Sequence, residues 1–91
     1  MVGVFEAQAH PRFRRLLEVV RNAISQAAPG RRADILTARG ITYLVVENAS
    51  AREAARLERL LAALVGDALY GCRWEGRDLV CELNLVALVF Q

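Results

Sequence analysis

The 91-residue chain has no lysine: all 12 of its basic residues are arginine. Every cation is therefore a planar, permanently charged fork suited to phosphate, carboxylate or aromatic faces. It has one histidine and two cysteines, and the histidine lies far from both thiols. Zinc wants about four ligands, so no metal is expected, and nothing suggests another cofactor. No apolar run approaches the ~20 residues needed to span a bilayer, which leaves out a membrane partner. The opening stretch MVGVFEAQAH has no basic segment ahead of an apolar one, so no secretion signal is expected. Two cysteines without such a signal point to a reducing compartment, with the cytoplasm as the expected address.

Groups for catalysis are equally scarce. His10 precedes Pro11 at a helix start and reads as a capping or exposed residue, because no nucleophile or orienting carboxylate can be placed beside it. The hydroxyls are few, and Ser50 is already engaged as a helix cap. GRRADILTARG has neither the spacing nor the strand–loop–helix order of a phosphate-binding loop. Glu75 and Asp78 flank a turn and read as solvated. No catalytic residue is assigned, and the chain is not expected to be an enzyme.

What is present is a globular composition, 55% hydrophobic and 24% charged, on a length that supports one domain over residues 1–91. Residues 2–9 read as a short strand, with a helical lead-in as the alternative. Phe13, Leu16, Leu17, Val20, Ile24 and Ala27 recur at helical spacing after Pro11, which predicts a helix over 11–28. ADILTARGITYLVVE (33–47) reads as a hairpin turning at Arg39-Gly40, and a two- or three-residue loop leaves its register open. In NASAREAARLERLLAALVG, Ser50 and Glu53 form a capping box and Gly66 stands at the C-terminal cap. Leu57, Leu61, Leu64 and Val65, with Ala54, make that helix's buried stripe.

The last third predicts a second hairpin turning within EGRD. Its register sets Trp74 opposite Leu79, Cys72 opposite Cys81, Tyr70 opposite Leu83 and Ala68 opposite Leu85. One face is then apolar, and the other carries Gly71, Arg73, Glu82 and Asn84, with Arg73 and Glu82 as a diagonal pair. The element order is β-α-β-β-α-β-β. It predicts an α+β two-layer sandwich, two helices on one face of a four- or five-stranded, largely antiparallel sheet. The two cysteines are read mainly as small buried hydrophobes, with a cross-strand disulfide as the alternative. Phe13, Trp74, Tyr43 and Tyr70 are assigned to the core.

Two surfaces stand out. Arg52, Arg56 and Arg59 fall within about 60° of one another on the second helix, with small alanines beside them and no acid four residues away. Arg14, Arg15 and Arg21 point outward from the first helix, and Arg31 and Arg32 follow it. These eight arginines are the candidate contacts to nucleic-acid phosphates or to an acidic protein. The second surface is apolar. In CELNLVALVFQ the alternation ends at Leu85, and a strand running to Phe90 would aim Val86, Leu88 and Phe90 at the side of the sheet without helices. Leu44 and Val46, with Leu36, would join them there, so this patch is the expected self-association interface.

The order of strand, helix, x-Gly hairpin and leucine helix, with ARGITYLVVENASAREAARLERLLAALV at its centre, resembles the small dimerising subunit of the KEOPS tRNA-modification complex. The resemblance is one of pattern, covers at most residues 2–65, and has no place for the C-terminal hairpin. It implies an accessory, dimeric role. Two functions follow from the sequence. The first is a non-enzymatic homodimeric module that binds DNA or RNA through its arginines. The second is a structural subunit of a larger assembly, such as a tRNA- or nucleic-acid-processing one, that uses the same arginines on an acidic protein.

Overall fold

A computed structural model of the protein describes residues 4–90. The elements are α1 (Val4–Ala9), α2 (Pro11–Ala27), β1 (Ala33–Ala38), β2 (Ile41–Val46), α3 (Ala51–Val65), β3 (Leu69–Glu75), β4 (Asp78–Leu83) and α4 (Val86–Val89), with a short 3-10 turn at Gly66–Ala68. The four strands form one antiparallel sheet in the order β1-β2-β4-β3, and α2 and α3 lie side by side on one face of it. The α+β two-layer sandwich expected from the sequence is present, with four strands.

The helices start and stop where local chemistry directs. His10 caps α2, its Nδ1 accepting from the Arg12 N–H at 3.0 Å, and Pro11 fills the first helical position. At α3 the capping box is complete. Glu53 N–H donates to Ser50 Oγ at 3.1 Å, and Ser50 N–H donates to Glu53 Oε1 at 2.8 Å. Gly66 ends the helix with φ +55°. The first hairpin turns on two residues, Arg39 (φ +55°) and Gly40 (φ +81°), the type I′ geometry that matches strand twist. This fixes the register left open by the sequence: Ile35 pairs with Leu44, and Leu36 with Tyr43. The second hairpin turns on Gly76-Arg77, with only Gly76 at positive φ, a type II′ turn.

The register of β2, β4 and β3 then sorts the sheet into two faces. Ile35, Leu44, Val46, Leu79, Cys81 and Leu83 face the helices, where Phe13, Val20, Ile24, Leu57, Leu61 and Val65 close the core. Asp34, Leu36, Tyr43, Val45, Val80, Arg73 and Glu82 share the bare face. Cys72 and Cys81 pair as expected and are joined by a disulfide, not left as separate buried thiols. Among the described residues no helix is long and apolar enough to cross a membrane.

Both ends of the chain depart from the sequence reading. Residues 4–9 form α1 instead of a strand, with Ala7 buried and Val4–Ala9 packed on α2 and α4; residues 2 and 3 of the expected strand lie outside the described residues. The KEOPS-like order thus loses its opening strand. At the other end, β4 stops at Leu83 and residues 86–89 turn into α4. The reason is geometric. Leu83 pairs with Thr42, so β4 has nearly reached the start of β2, and the next positions would face Ile41 and the Arg39-Gly40 turn. A strand through Phe90 would have no ladder to join. Asn84 makes the exit: its N–H donates to the Ala68 carbonyl at 2.7 Å, and its Oδ1 accepts from the Ala87 N–H at 3.2 Å. Leu85 and Val89 then plug the core end beside α1 and α2. A bulge between Leu69 and Gly71 also shifts the second hairpin, so Leu69, not Tyr70, pairs with Leu83.

Candidate interaction surfaces

The helical layer carries the basic surface. Together α2 and α3 hold seven arginines and three glutamates, whereas the four strands hold one arginine and four acids. Arg52, Arg56 and Arg59 are exposed on α3, in agreement with their spacing. Glu53, the one acid placed to reach Arg56 along the helix, is turned away by its cap. It binds Ser50 and the Arg31 guanidinium, with Arg31 Nε at 3.0 Å. The Ser50 N–H is the main cause holding the Glu53 carboxyl below its ordinary value; desolvation opposes it, and the Ser50 hydroxyl and Arg31 add to the lowering. Arg31 is therefore occupied in tying the end of α2 to the start of α3. Arg52, Arg56, Arg59, Arg14, Arg15, Arg21 and Arg32 make no ion pair among the described residues.

The fold divides these arginines by side. Val19, Asn22, Ala23 and Gln26 of α2 face Leu60 and Leu64 of α3 across a shallow cleft of about 250 Å³. Arg15, one turn before Val19, stands on that same side of α2, and the Arg52/Arg56/Arg59 strip borders the cleft from α3. Arg21 lines a different cleft of about 660 Å³, with Ser25, Arg31, Asp34 and Ile35 beside β1. Arg14, seven residues before Arg21, shares its flank. Arg32 is exposed at the start of β1, where its carbonyl accepts from the Glu47 N–H. The eight predicted arginines thus divide into an outward strip with Arg15 on the same side, the Arg14/Arg21 flank, the structural ion pair of Arg31, and Arg32 at the start of β1.

The cleft between the helices does not follow from the sequence reading. Periodicity assigns Leu64 to the buried stripe, but it is 49% exposed, and Val19 is 37% exposed. The core needs only Leu57, Leu61 and Val65 from α3, which leaves Leu60 and Leu64 as a second apolar column at four-residue spacing. That doubled stripe is the available sequence signal.

The predicted self-association residues are placed differently from expectation. Leu44 and Val46 are fully buried because their side of β2 is the one the helices cover, and the type I′ register sets Ile35, not Leu36, beside Leu44. Val86 and Leu88 pack against the core from α4, and Phe90, 53% exposed, meets His10 edge to face with ring centroids 5.6 Å apart. None of the five lies on the bare sheet face, and the continuous patch built on them is withdrawn. Of the aromatic residues assigned to the core, Phe13 is buried, Tyr43 is half-buried, and Trp74 and Tyr70 are exposed. Tyr70 is held by Asn84 Nδ2 donating to its hydroxyl at 3.0 Å.

On the bare face the predicted Arg73–Glu82 diagonal forms at 2.7 Å, and Glu75 joins it at 2.7 Å. Hydrogen bonds from Arg73 to Glu82, then Glu75, reinforce its cationic form. Among the described residues no group of three or more histidine, cysteine or acidic side chains could hold a metal ion. Ser25, which lines the cleft beside β1, donates its hydroxyl to the Arg21 carbonyl at 3.2 Å and not to a base. The chain matches no protein-family model, curated protein or solved structure.

Proposed function

We propose that this chain is a non-enzymatic binding module whose helical face contacts the phosphates of DNA or RNA. One observation carries the reading. The exposed sides of α2 and α3 present Arg14, Arg15, Arg21, Arg52, Arg56 and Arg59, none of them in an ion pair among the described residues. The acids that remain on those helices are Glu18 and Glu58, because Glu53 is committed to the cap and Arg31. Unpaired arginines on rigid helices release counterions on meeting a polyanion, and that release makes affinity fall with salt. Alanines 55, 62 and 63 beside the strip allow close approach of a sugar–phosphate backbone.

The test is a salt titration of binding to a short duplex and a single strand. We expect log K to fall linearly with log salt. Arg52→Ala/Arg56→Ala/Arg59→Ala should flatten the duplex slope by about 0.9 for each phosphate that is no longer neutralised. Absence of binding at low ionic strength would end the nucleic-acid reading. The apolar Val19/Leu60/Leu64 cleft favours a second one, an accessory subunit that receives an acidic amphipathic helix from a protein partner. Leu64→Glu separates the two: it blocks a helix in the cleft and leaves the arginine strip in place.

A further inference from the structure

We infer that the bare face of the sheet is a two-fold interface for a second copy of this chain. The face is built in rows that read as their own complement. The hydrogen-bonded register sets Asp34, Val45, Val80 and Arg73 in one row from edge to edge, and Leu36, Tyr43, Glu82 and Gly71 in the next. Rotating a copy about an axis along the strands, between β2 and β4, reverses each row above itself. Asp34 then lies over Arg73 of the second copy, Val45 over Val80, Leu36 over Gly71 and Tyr43 over Glu82. Every one of these pairings occurs twice, as an isologous interface requires.

Three of these pairings match in chemistry; in the fourth, Val80 is already buried within its own chain. Asp34 has no ion pair among the described residues. Arg73 gives Nε and Nη2 to Glu75 and Nη1 to Glu82, and its five-donor fork has N–H groups left for a third acceptor. Leu36 is 57% exposed, the most exposed aliphatic side chain on the sheet. The position above Gly71 is open: a Cβ built there would meet no atom within 4 Å. A projecting leucine thus faces a gap in the same row. The Tyr43 hydroxyl meets a carboxylate that can accept from it. Face-to-face sheets pack with strands offset by about 30°, which shifts the edge positions by about one residue and stays within an arginine's reach.

An alternative partner, a polyanion, is disfavoured by the same face, whose strands carry four acids against one arginine. The interface covers only four short strands, so association is expected at the weak end of specific interfaces. Such a dimer turns its two helical faces in opposite directions. Where those faces bind nucleic acid as proposed above, one dimer joins two separate segments, a consequence that rests on that reading.

The interface itself is tested without nucleic acid, by sedimentation of the full chain between about 5 and 500 µM. We expect concentration-dependent dimerisation, and Leu36→Asp to weaken it at least tenfold while circular dichroism stays native, as suits an exposed position. Asp34→Arg gives the sharper result. If bulk repulsion between acidic faces governed association, this change would tighten the dimer. The Asp34–Arg73 pairing predicts the reverse, a dimer weakened at least tenfold. A monomer throughout the range overturns the interface, as does a dimer indifferent to Leu36→Asp or tightened by Asp34→Arg. Loss of salt-dependent DNA or RNA binding would bear on the helical face alone.

Discussion

Arg39 sits in a backbone conformation that costs an L-residue energy. Its φ of +55° is required because a two-residue type I′ turn needs positive φ at both central positions. Asparagine tolerates that region far better than arginine. Arg39→Asn is therefore expected to stabilise the fold by about 0.5–1 kcal/mol, raising Tm by a few degrees. A Tm equal to or below that of the parent chain would show that the turn carries no such strain. Glu53 gives a pH-dependent counterpart. Its folded-state carboxyl lies below its ordinary value of 4.5, so its contribution is present above that pH and is lost as pH falls through the lowered folded value. Glu53→Gln keeps a hydrogen-bonding cap but loses the charge. The parent should exceed the variant in stability at neutral pH, and denaturant midpoints of the two should converge on acidification below 4.5. Parallel curves over the whole range would remove Glu53 from the acid response. Residue by residue, sequence spacing identifies both caps and the Arg73–Glu82 pair because each is made within one element or across a single turn. Spacing misplaces Leu64 and Trp74 because a residue at a core-compatible position is buried only where another element covers it, and both are exposed here.

Among the elements, the β3–β4 hairpin combines a sequence-legible register with a bond that composition argues against. Turn position alone aligns Cys72 with Cys81, and the disulfide follows from that alignment. A bond closing a loop of nine residues' separation restricts the unfolded chain, an effect of about 2–3 kcal/mol in the loop-entropy description. Cys72→Ala/Cys81→Ala should lower the denaturation midpoint accordingly, and reduction of the parent chain should act in the same direction. Two reactive thiols found in the unfolded, unreduced protein would refute the bond. The C-terminal run LVALVF shows the opposite case. Its alternating core positions fit a strand, but a strand exists only beside a partner, and the β2–β4 ladder stops at the pair of Thr42 and Leu83, next to the first residue of β2. With no ladder available, the residues satisfy their backbone as a helical turn and bury Leu85 and Val89 one turn apart. The N-terminal segment follows the same rule and forms α1.

At the scale of the whole molecule, charge is separated by layer: a basic helical side backs an acidic and apolar sheet side. The sequence shows the arginine excess between residues 12 and 32 but not this layering, which arises because both long helices fall on one face. It also means the two proposed activities use opposite sides and can be tested apart, polyanion binding on the helices and self-association on the sheet. Core packing links them. Leu61 is fully buried beneath α3, and Leu61→Ala should cost about 2–5 kcal/mol and abolish both activities together, as read by chemical denaturation alongside binding and sedimentation.

The sequence by itself determined the two long helices with their caps, the two hairpins, the pairing of Cys72 with Cys81 and the outward arginine strip. Those features depend on propensity, turn chemistry and periodicity within a few residues. The tertiary structure alone decided which parity of the first hairpin faced the core, because apolar residues occupy both sides of β1 and β2 and only the covering helices distinguish them. It also decided that β4 ends at Leu83 and that the apolar side chains on the bare sheet face are Leu36, with half-buried Tyr43 and Val45, rather than Val86, Leu88 and Phe90. A strand's length is limited by its neighbours, and which surface stays bare depends on what the rest of the chain has covered.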